Sequence, residues 1–300
     1  MHIVVLGAAA GGGFPQWNSN APACNRARRG DAAAPPRTQA SLAVSGNGEH
    51  WYLFNASPDL RQQISETQEL HPRQGLRSTP IRGVVLTGGD VDAIAGLLTL
   101  REREPLAVIA TQRILDILDA NPVFEVLARD VVERRCIGLD EPVALAGGLT
   151  VELFAVPGKV PLYMEQGSGM QPVVADGTTV AAMISDGRRR IFYIPGCAAM
   201  PDWLKSRLEG ADILFFDGTL WTDDEMLRAG VGTKTGQRMG HMSVSGPGGA
   251  IASLADVAIG QRIFVHINNS NPILLADSPE RAQAQAAGWT VAFDGMRMTL

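Results

Sequence analysis

Cysteine is scarce in this chain, and what there is lies scattered. Three of the 300 residues are cysteines, Cys24, Cys136 and Cys197, with no C-x-x-C pair. An odd, widely spaced set argues against a disulfide framework and against a four-cysteine zinc site. An excess of positive charge is missing too. Twenty-six Lys plus Arg stand against 31 Asp plus Glu, for a net charge of -5, so composition offers no basic surface to a nucleic-acid backbone. It leaves room for a small charged substrate. Nowhere do about 18 apolar residues run together, which excludes a membrane-spanning helix. The apolar start, Met1 to Leu6, has no basic leader and runs directly into glycine. That is not the pattern of a signal peptide, and the expected location is the cytoplasm. Histidine occurs only at positions 2, 50, 71, 241 and 266, so imidazole chemistry has few places to sit.

What the chain does have is apolar residues, at 45%, with 33 glycines and 18 prolines. This composition fits a large core cut by many tight turns. Strands are expected at His2–Leu6, Ser41–Ser45, Trp51–Asn55, Val84–Thr87, Thr150–Val156, Val180–Ser185, Arg190–Ile194, Ile213–Phe216 and Ile263–Ile267. Helices are expected at Pro58–Ser65, Ala93–Arg103, Thr111–Asp119, Pro122–Arg129, Trp203–Leu208 and Gly248–Leu254. Asn18 to Pro36 shows no period and reads as an irregular loop. No short repeat and no long linker interrupts the chain. Strand–helix alternation in both halves points to helices outside a two-sheet core, in one domain over residues 1–300.

The glycine-rich turn Gly7–Gly13 has the look of a dinucleotide loop, but Phe14-Pro15 follows it where a helix should open. Close backbone packing is the better reading. Carboxylates and histidines at strand ends are more informative. Asp90 and Asp92 follow the apolar run Val84–Leu86, two residues apart, so in an extended loop they can aim at one point, as hard cations require. Asp92 reads equally well as the N-cap of a helix beginning near Ala93. Asp217 closes Ile213–Phe216 just before Gly218-Thr219. His266 closes Ile263–Val265 and suits a metal ligand, a general base or a turn cap. His241 lies in a glycine-flanked loop of the kind that carries catalytic groups.

These segments carry a resemblance. Thr87, the polar stretch after it and Gly96-Leu97 resemble the metallo-β-lactamase pattern T-H-x-H-x-D-H-x-x-G-L. On that frame Gly88 and Asp90 stand at the first two histidines, Asp92 at the aspartate and Ala93 at the last histidine. Tyr193–Cys197 is similar to the Y-x-G-D segment, with Cys197 at the bridging aspartate. Asp217–Leu220, Gly240–Ser243 and Val265-His266 resemble the E-A-T, G-H-S and terminal-histidine motifs of the phosphodiesterase branch. Within the superfamily the whole chain resembles the branch that acts in the biosynthesis of pyrroloquinoline quinone (PQQ). The matching segments include Leu6–Asn18, Arg37–Gln39, Asn55–Asp59, Gly96–Glu102, Gly230–Thr233, His266–Pro272 and Phe293–Gly295.

The resemblance implies an α/β fold, an αββα sandwich of two facing mixed β-sheets with helices outside and a metal cleft at one edge. Most histidines of a di-zinc hydrolase are replaced here, which argues against that chemistry. Asp90, Asp92 and His266 remain as candidate ligands, with Asp217 and His241 as candidate catalytic groups. Carboxylate and imidazole with open positions suit one Fe(II) working with O2. The implied function is hydroxylation of the tyrosine ring in a glutamate–tyrosine intermediate cut from a precursor peptide. The alternative is a carrier moving PQQ or its precursor towards the periplasm. Arg37, Lys159, Arg228 and Lys234 are expected to contact the anionic small molecule. Other PQQ-biosynthesis proteins and a second copy of the chain are the further partners the resemblance admits. Two departures matter. The branch carries a C-x-C-x-x-C cluster where this chain has Ser19, Ala21 and Cys24, so no structural zinc is expected. Ala93 also replaces a histidine that could bind metal.

Overall fold

Two sheets of seven strands form, and each joins its strands by three antiparallel pairings on one side and three parallel ones on the other. The structure is a computed structural model that describes residues 1–160, 162–164 and 175–300. The first sheet contains β1 (His2–Gly7), β2 (Ser41–Ser45), β3 (Trp51–Phe54), β4 (Ile81–Val85), β5 (Leu106–Ala110) and β6 (Val132–Cys136). The second contains β7 (Val143–Leu145), β8 (Leu149–Ala155), β9 (Val180–Ser185), β10 (Arg190–Ile194), β11 (Ala211–Asp217), β12 (Ile259–Val265) and β13 (Trp289–Val291). A last strand, β14 (Arg297–Thr299), returns to the first sheet beside β1. The orders are β14-β1-β2-β3-β4-β5-β6 and β13-β12-β11-β10-β9-β8-β7.

The side-chain period of two sorts the residues of the second sheet between two cores. Ile213 and Phe215 of β11, and Ile263 and Val265 of β12, share a core with Leu53, Phe54 and Val85 of the facing sheet. Their neighbours Leu214, Phe216 and Phe264 point the other way, to Leu204, Leu208, Leu254 and Trp289. There the Phe264 and Trp289 rings stack with centroids 3.9 Å apart. Between the sheets the Phe54 and Tyr193 rings meet edge to face at 6.4 Å. With both faces covered, these strands read as continuous apolar runs. Burying each such side chain contributes roughly 1.5–3 kcal/mol. The αββα sandwich expected of the sequence is therefore the fold.

Three local expectations are corrected. Asn18–Pro36 is not wholly irregular: Pro22–Arg28 is a helix with proline in its first turn, where the missing N–H costs nothing, and Arg26 and Arg28 in its last. The segment read as one helix, Ala93–Arg103, is an α-turn at Val91–Ile94 and then a 3-10 helix at Ala95–Leu100. The Ala93 carbonyl accepts from Ala56 N at 2.7 Å, and Gly96 N donates to the Ala56 carbonyl at 2.8 Å. Those groups are lost to an α-helical ladder, so the chain tightens. Pro122–Arg129 likewise holds only a 3-10 helix, Pro122–Val126. Strands β5, β6, β7, β13 and β14 and the helix Pro279–Ala286 had no reading in the sequence.

The Ala56 bonds dock the Asp90–Asp92 segment against the end of β3. A Cβ at Gly96 would overlap the Ser57 carbonyl oxygen. Gly96→Ala should therefore lower unfolding stability by about 1–3 kcal/mol, the usual range for overpacking, as a lower urea midpoint. An unchanged midpoint would show that this docking is loose.

Candidate functional site

The carboxyl ends of β4, β10, β11 and β12 open on one side between the sheets, the usual place for a binding crevice in such folds. A cavity of about 390 Å³ lies there, with Asp90, Asp92, Thr219, His241 and His266 on its wall. Alternation along β11 continues inward from Ile213 and Phe215 to Asp217, which is fully buried at the floor.

The side chains of Ile213 and Phe215 can offer this carboxylate no hydrogen bond. Four polar donors do. Asp217 Oδ1 accepts from Thr219 N at 3.0 Å and from the Thr219 hydroxyl at 2.6 Å. Its Oδ2 accepts from Cys197 N at 2.9 Å and from His241 Nδ1 at 2.6 Å. The His241 ring stacks on that of His266, with centroids 5.2 Å apart. His266 Nδ1 lies 2.9 Å from the Thr219 hydroxyl, and its Nε2 lies 2.8 Å from Asp92 Oδ2. One hydrogen-bonded chain thus runs from Asp92 through His266, Thr219 and Asp217 to His241, joining loops of both sheets.

Local backbone explains why these groups meet. His266 has φ 54°, a left-handed conformation rarely taken by a residue with a side chain. The neighbouring amides hold it there: Ile267 N donates to the Ala8 carbonyl at 3.0 Å, and Ala10 N to the Ile267 carbonyl at 2.8 Å. The glycine-rich turn is therefore a wall of the cleft. A Cβ at Gly7 would overlap the Gln39 carbonyl, and Gly11 faces the Asp92 carboxylate. Asp90, not Asp92, occupies the N-cap position of Val91–Ile94, and no side-chain capping bond forms there. Asp92 turns to His266 instead, which removes the capping reading.

The charges follow from this geometry. Desolvation by the atoms packed around it, and then the Asp92 carboxylate, push the Asp90 carboxyl up to about 6 although the residue keeps solvent access at the mouth of the cleft, against the pull of His241, His266 and Lys159. Burial also works against ionised Asp92, but the bond and charge of His266 hold it below the ordinary carboxylate range. Burial opposes the ionised Asp217 as well, and His241 holds it low. Burial alone would lower the His266 imidazole; the bond and charge of Asp92, with Asp217 and Asp90, outweigh it and hold the ring high.

The ligand atoms of Asp217, His241 and His266 lie within 4.8 Å of one another. In this arrangement each oxygen of Asp217 accepts two hydrogen bonds, which ties it to Thr219, Cys197 and His241. Asp92 and His266 meet at 2.8 Å and Asp90 lines the same cleft, oxygen and nitrogen donors of the kind a divalent metal takes, although the ligand atoms of these three do not all lie within 4.8 Å of one another. Of the four cations expected to meet substrate, Lys159 and Lys234 line this cleft. The other two do not. Arg37 is buried and donates to the Pro35 and Pro36 carbonyls at 3.1 and 2.8 Å. Arg228 pairs with Asp224 at 2.7 Å beside a separate hollow. Cys197, at the position of the bridging aspartate, is a buried thiol pushed up to about 12 by burial. Cys24 is buried with Asn269 Oδ1 3.7 Å from its sulfur; Ser19 and Ala21 add no thiolate. Thr219 stands in a motif of the sequence without being singled out as a site residue; its place after a strand-end aspartate was the available signal.

Comparison with known proteins agrees with this picture. Residues 50–267 match the beta-lactamase superfamily domain. The chain is 64% identical to coenzyme PQQ synthesis protein B of Gluconacetobacter diazotrophicus, over 99% of each chain. It superposes on Zn(2+)-bound PqqB from Methylobacterium extorquens with a TM-score of 0.98 and 56% identity, over 100% of both chains. A diphosphatase of the PhnP family shares the fold, with a TM-score of 0.69 at 20% identity over 99% of this chain and 96% of that one. No helix among the described residues is long and apolar enough to cross a membrane. The chain belongs to the coenzyme PQQ synthesis protein B family of the β-lactamase superfamily.

Proposed function

We propose that this chain acts in PQQ biosynthesis by hydroxylating the tyrosine ring of a peptide-derived glutamate–tyrosine intermediate, with one Fe(II) and O2. The observation that carries this reading is the convergence of Asp92 and His266, beside Asp90 and His241, in one cleft. Asp92, His266 and Asp90 would hold the metal. When bound, Fe(II) supplies the redox chemistry that lets dioxygen react with the ring. The chain's own groups bind and orient. Lys159 and Lys234 offer positive charge to the carboxylates of the intermediate. Val160, Met226 and Met239 give the ring an apolar wall. Asp217 and Thr219 occupy His241 Nδ1, leaving Nε2 to exchange a proton with the phenol.

Ala93 supports a second reading. It lines the cleft where an imidazole would enlarge the donor set. Without that donor, the same lysine-bearing cleft would serve as a carrier site for anionic PQQ or its precursor. Incubating the Fe(II)-loaded protein with a glutamate–tyrosine substrate and ascorbate in air separates the two, the ascorbate giving the two electrons and two protons with which the second oxygen atom of O2 leaves as water. The first reading expects mass spectrometry to find one added oxygen on the ring; binding of PQQ with no oxygen added supports the carrier.

Two measurements bear on the metal. Ala93→His should raise anaerobic Fe(II) affinity by about 10–100-fold, the scale on which ligand support acts. Equal affinities would show that position 93 takes no part. Metal binding also requires an ionised Asp90. Because its carboxyl is raised to about 6, protons compete below that value. Zn(II) affinity measured by calorimetry should therefore fall as pH drops through about 6, and Asp90→Asn should make that profile shallower, leaving proton competition at the raised His266 imidazole.

A further inference from the structure

The geometry points to Asn268 as a specificity residue of the cleft, donating a side-chain N–H to an anionic oxygen of the ligand, with Ser270 and Glu225 fixing that amide as the donor. The inference rests on the cleft taking an anionic small molecule. Asn268 lines the wall together with Lys159 and Lys234. Its backbone is held on both sides: Asn268 N donates to the Thr219 carbonyl at 3.1 Å, and its own carbonyl accepts from Asn271 N at 2.9 Å. The side chain is held as well. Asn268 Nδ2 donates to Ser270 Oγ at 2.6 Å, and the Ser270 hydroxyl donates to Glu225 Oε1 at 2.6 Å. Glu225 Oε2 accepts from Trp221 N at 2.6 Å.

The direction of this chain of bonds is decided at its far end. An ionised carboxylate can only accept, and a hydroxyl has one proton, so Ser270 gives its proton to Glu225. Towards Asn268 that hydroxyl can then only accept, which places the amide nitrogen, not the amide oxygen, on the Ser270 side. Asn268 Oδ1 accepts from Asn269 Nδ2 at 3.2 Å. An amide nitrogen carries two hydrogens, and among the described residues the second has no partner. The amide therefore has a hydrogen left to give in a cleft where two lysines bring positive charge. A donor held in place before the ligand arrives loses little freedom on binding, and a bond to a charged oxygen is among the stronger ones. Neither Ser270 nor Glu225 lines the cleft, and Glu225 faces the separate hollow beside Arg228. Both are positioning residues that act through Asn268.

The test is a binding titration of the chain as purified with PQQ and with its trimethyl ester, which keeps the rings but not the charges. Burial pushes the Glu225 carboxyl up to about 7, so the titration is run at a pH of about 8.5, where that group is ionised. Asn268→Ala should weaken PQQ binding by about 10–100-fold, the scale of a bond to a charged group, and should affect the ester far less. Glu225→Gln removes a negative charge, so charge alone predicts tighter binding of PQQ. Positioning predicts weaker binding, because the Ser270 proton loses its charged acceptor and the amide loses its fixed order. That loss should vanish when Glu225→Gln is made in the Asn268→Ala background. Unchanged PQQ affinity in Asn268→Ala, or an equal loss for the ester, overturns the contact. Unchanged or tighter binding in Glu225→Gln, or a loss that persists in the Asn268→Ala background, overturns the positioning role. If Asn268→Ala does not fold, the sign of the Glu225→Gln effect decides. A native chain that binds neither PQQ nor the glutamate–tyrosine compound overturns the anionic-ligand reading of the cleft and this inference with it. The expected affinities without any hydroxylation overturn only the Fe(II) chemistry.

Discussion

A fully buried carboxylate, Asp217, is the constraint on which the site depends. A charge away from water is tolerated only when its acceptor positions are filled, and removing a partner from such a group typically costs about 3–5 kcal/mol. Asp217 has four donors, one each from Cys197 and His241 and two from Thr219. The three residues sit on three separate segments. Satisfying one carboxylate therefore fixes the turn after β10, the start of the segment after β11 and the loop that carries His241. Thr219 passes the constraint to His266, and His266 passes it across the sandwich to Asp92.

That chain crosses between sheets, and the fold makes the crossing short. Parallel strands in both sheets deliver their carboxyl ends to one edge, so a residue following β4 and a residue following β12 can touch although 174 positions separate them. The glycine-rich turn closes the cleft from the other side by backbone contact. The same arrangement concentrates charge. Three carboxylates and two imidazoles share one cleft: desolvation and the neighbouring Asp92 raise Asp90, while the histidines hold Asp92 and Asp217 low. Perturbed groups of opposite tendency in one crevice mark a functional site.

Much of this was legible in the sequence. The strands Ser41–Ser45, Val180–Ser185 and Arg190–Ile194 stand where their apolar runs place them, because strands buried on both faces leave a continuous apolar signal. Strand-end carboxylates and histidines at 90, 92, 217, 241 and 266 were visible for a related reason: each follows an apolar run or a glycine-marked turn. The short strands β7, β13 and β14 left no such signal. Neither did β6, whose Glu133 and Arg135 suit a sheet edge open to water. The helix expected over Ala93–Arg103 failed because Ala56, distant in sequence, takes the Ala93 carbonyl, and local pattern holds no record of a distant partner.

The sequence by itself determined a two-sheet core with helices outside, through strand–helix alternation, and its resemblance to the β-lactamase superfamily implied the αββα sandwich and the residue types at the cleft. Tertiary structure alone decided how those residues divide the work. It set Asp92 against His266 rather than against helix amides, and it gave each oxygen of Asp217 two hydrogen-bond donors. It also sent Arg37 and Arg228 away from the cleft that Lys159 and Lys234 line. The physical reason is that a ligand, a cap and a buried ion pair use the same side chains, and only the partners within hydrogen-bond reach distinguish them.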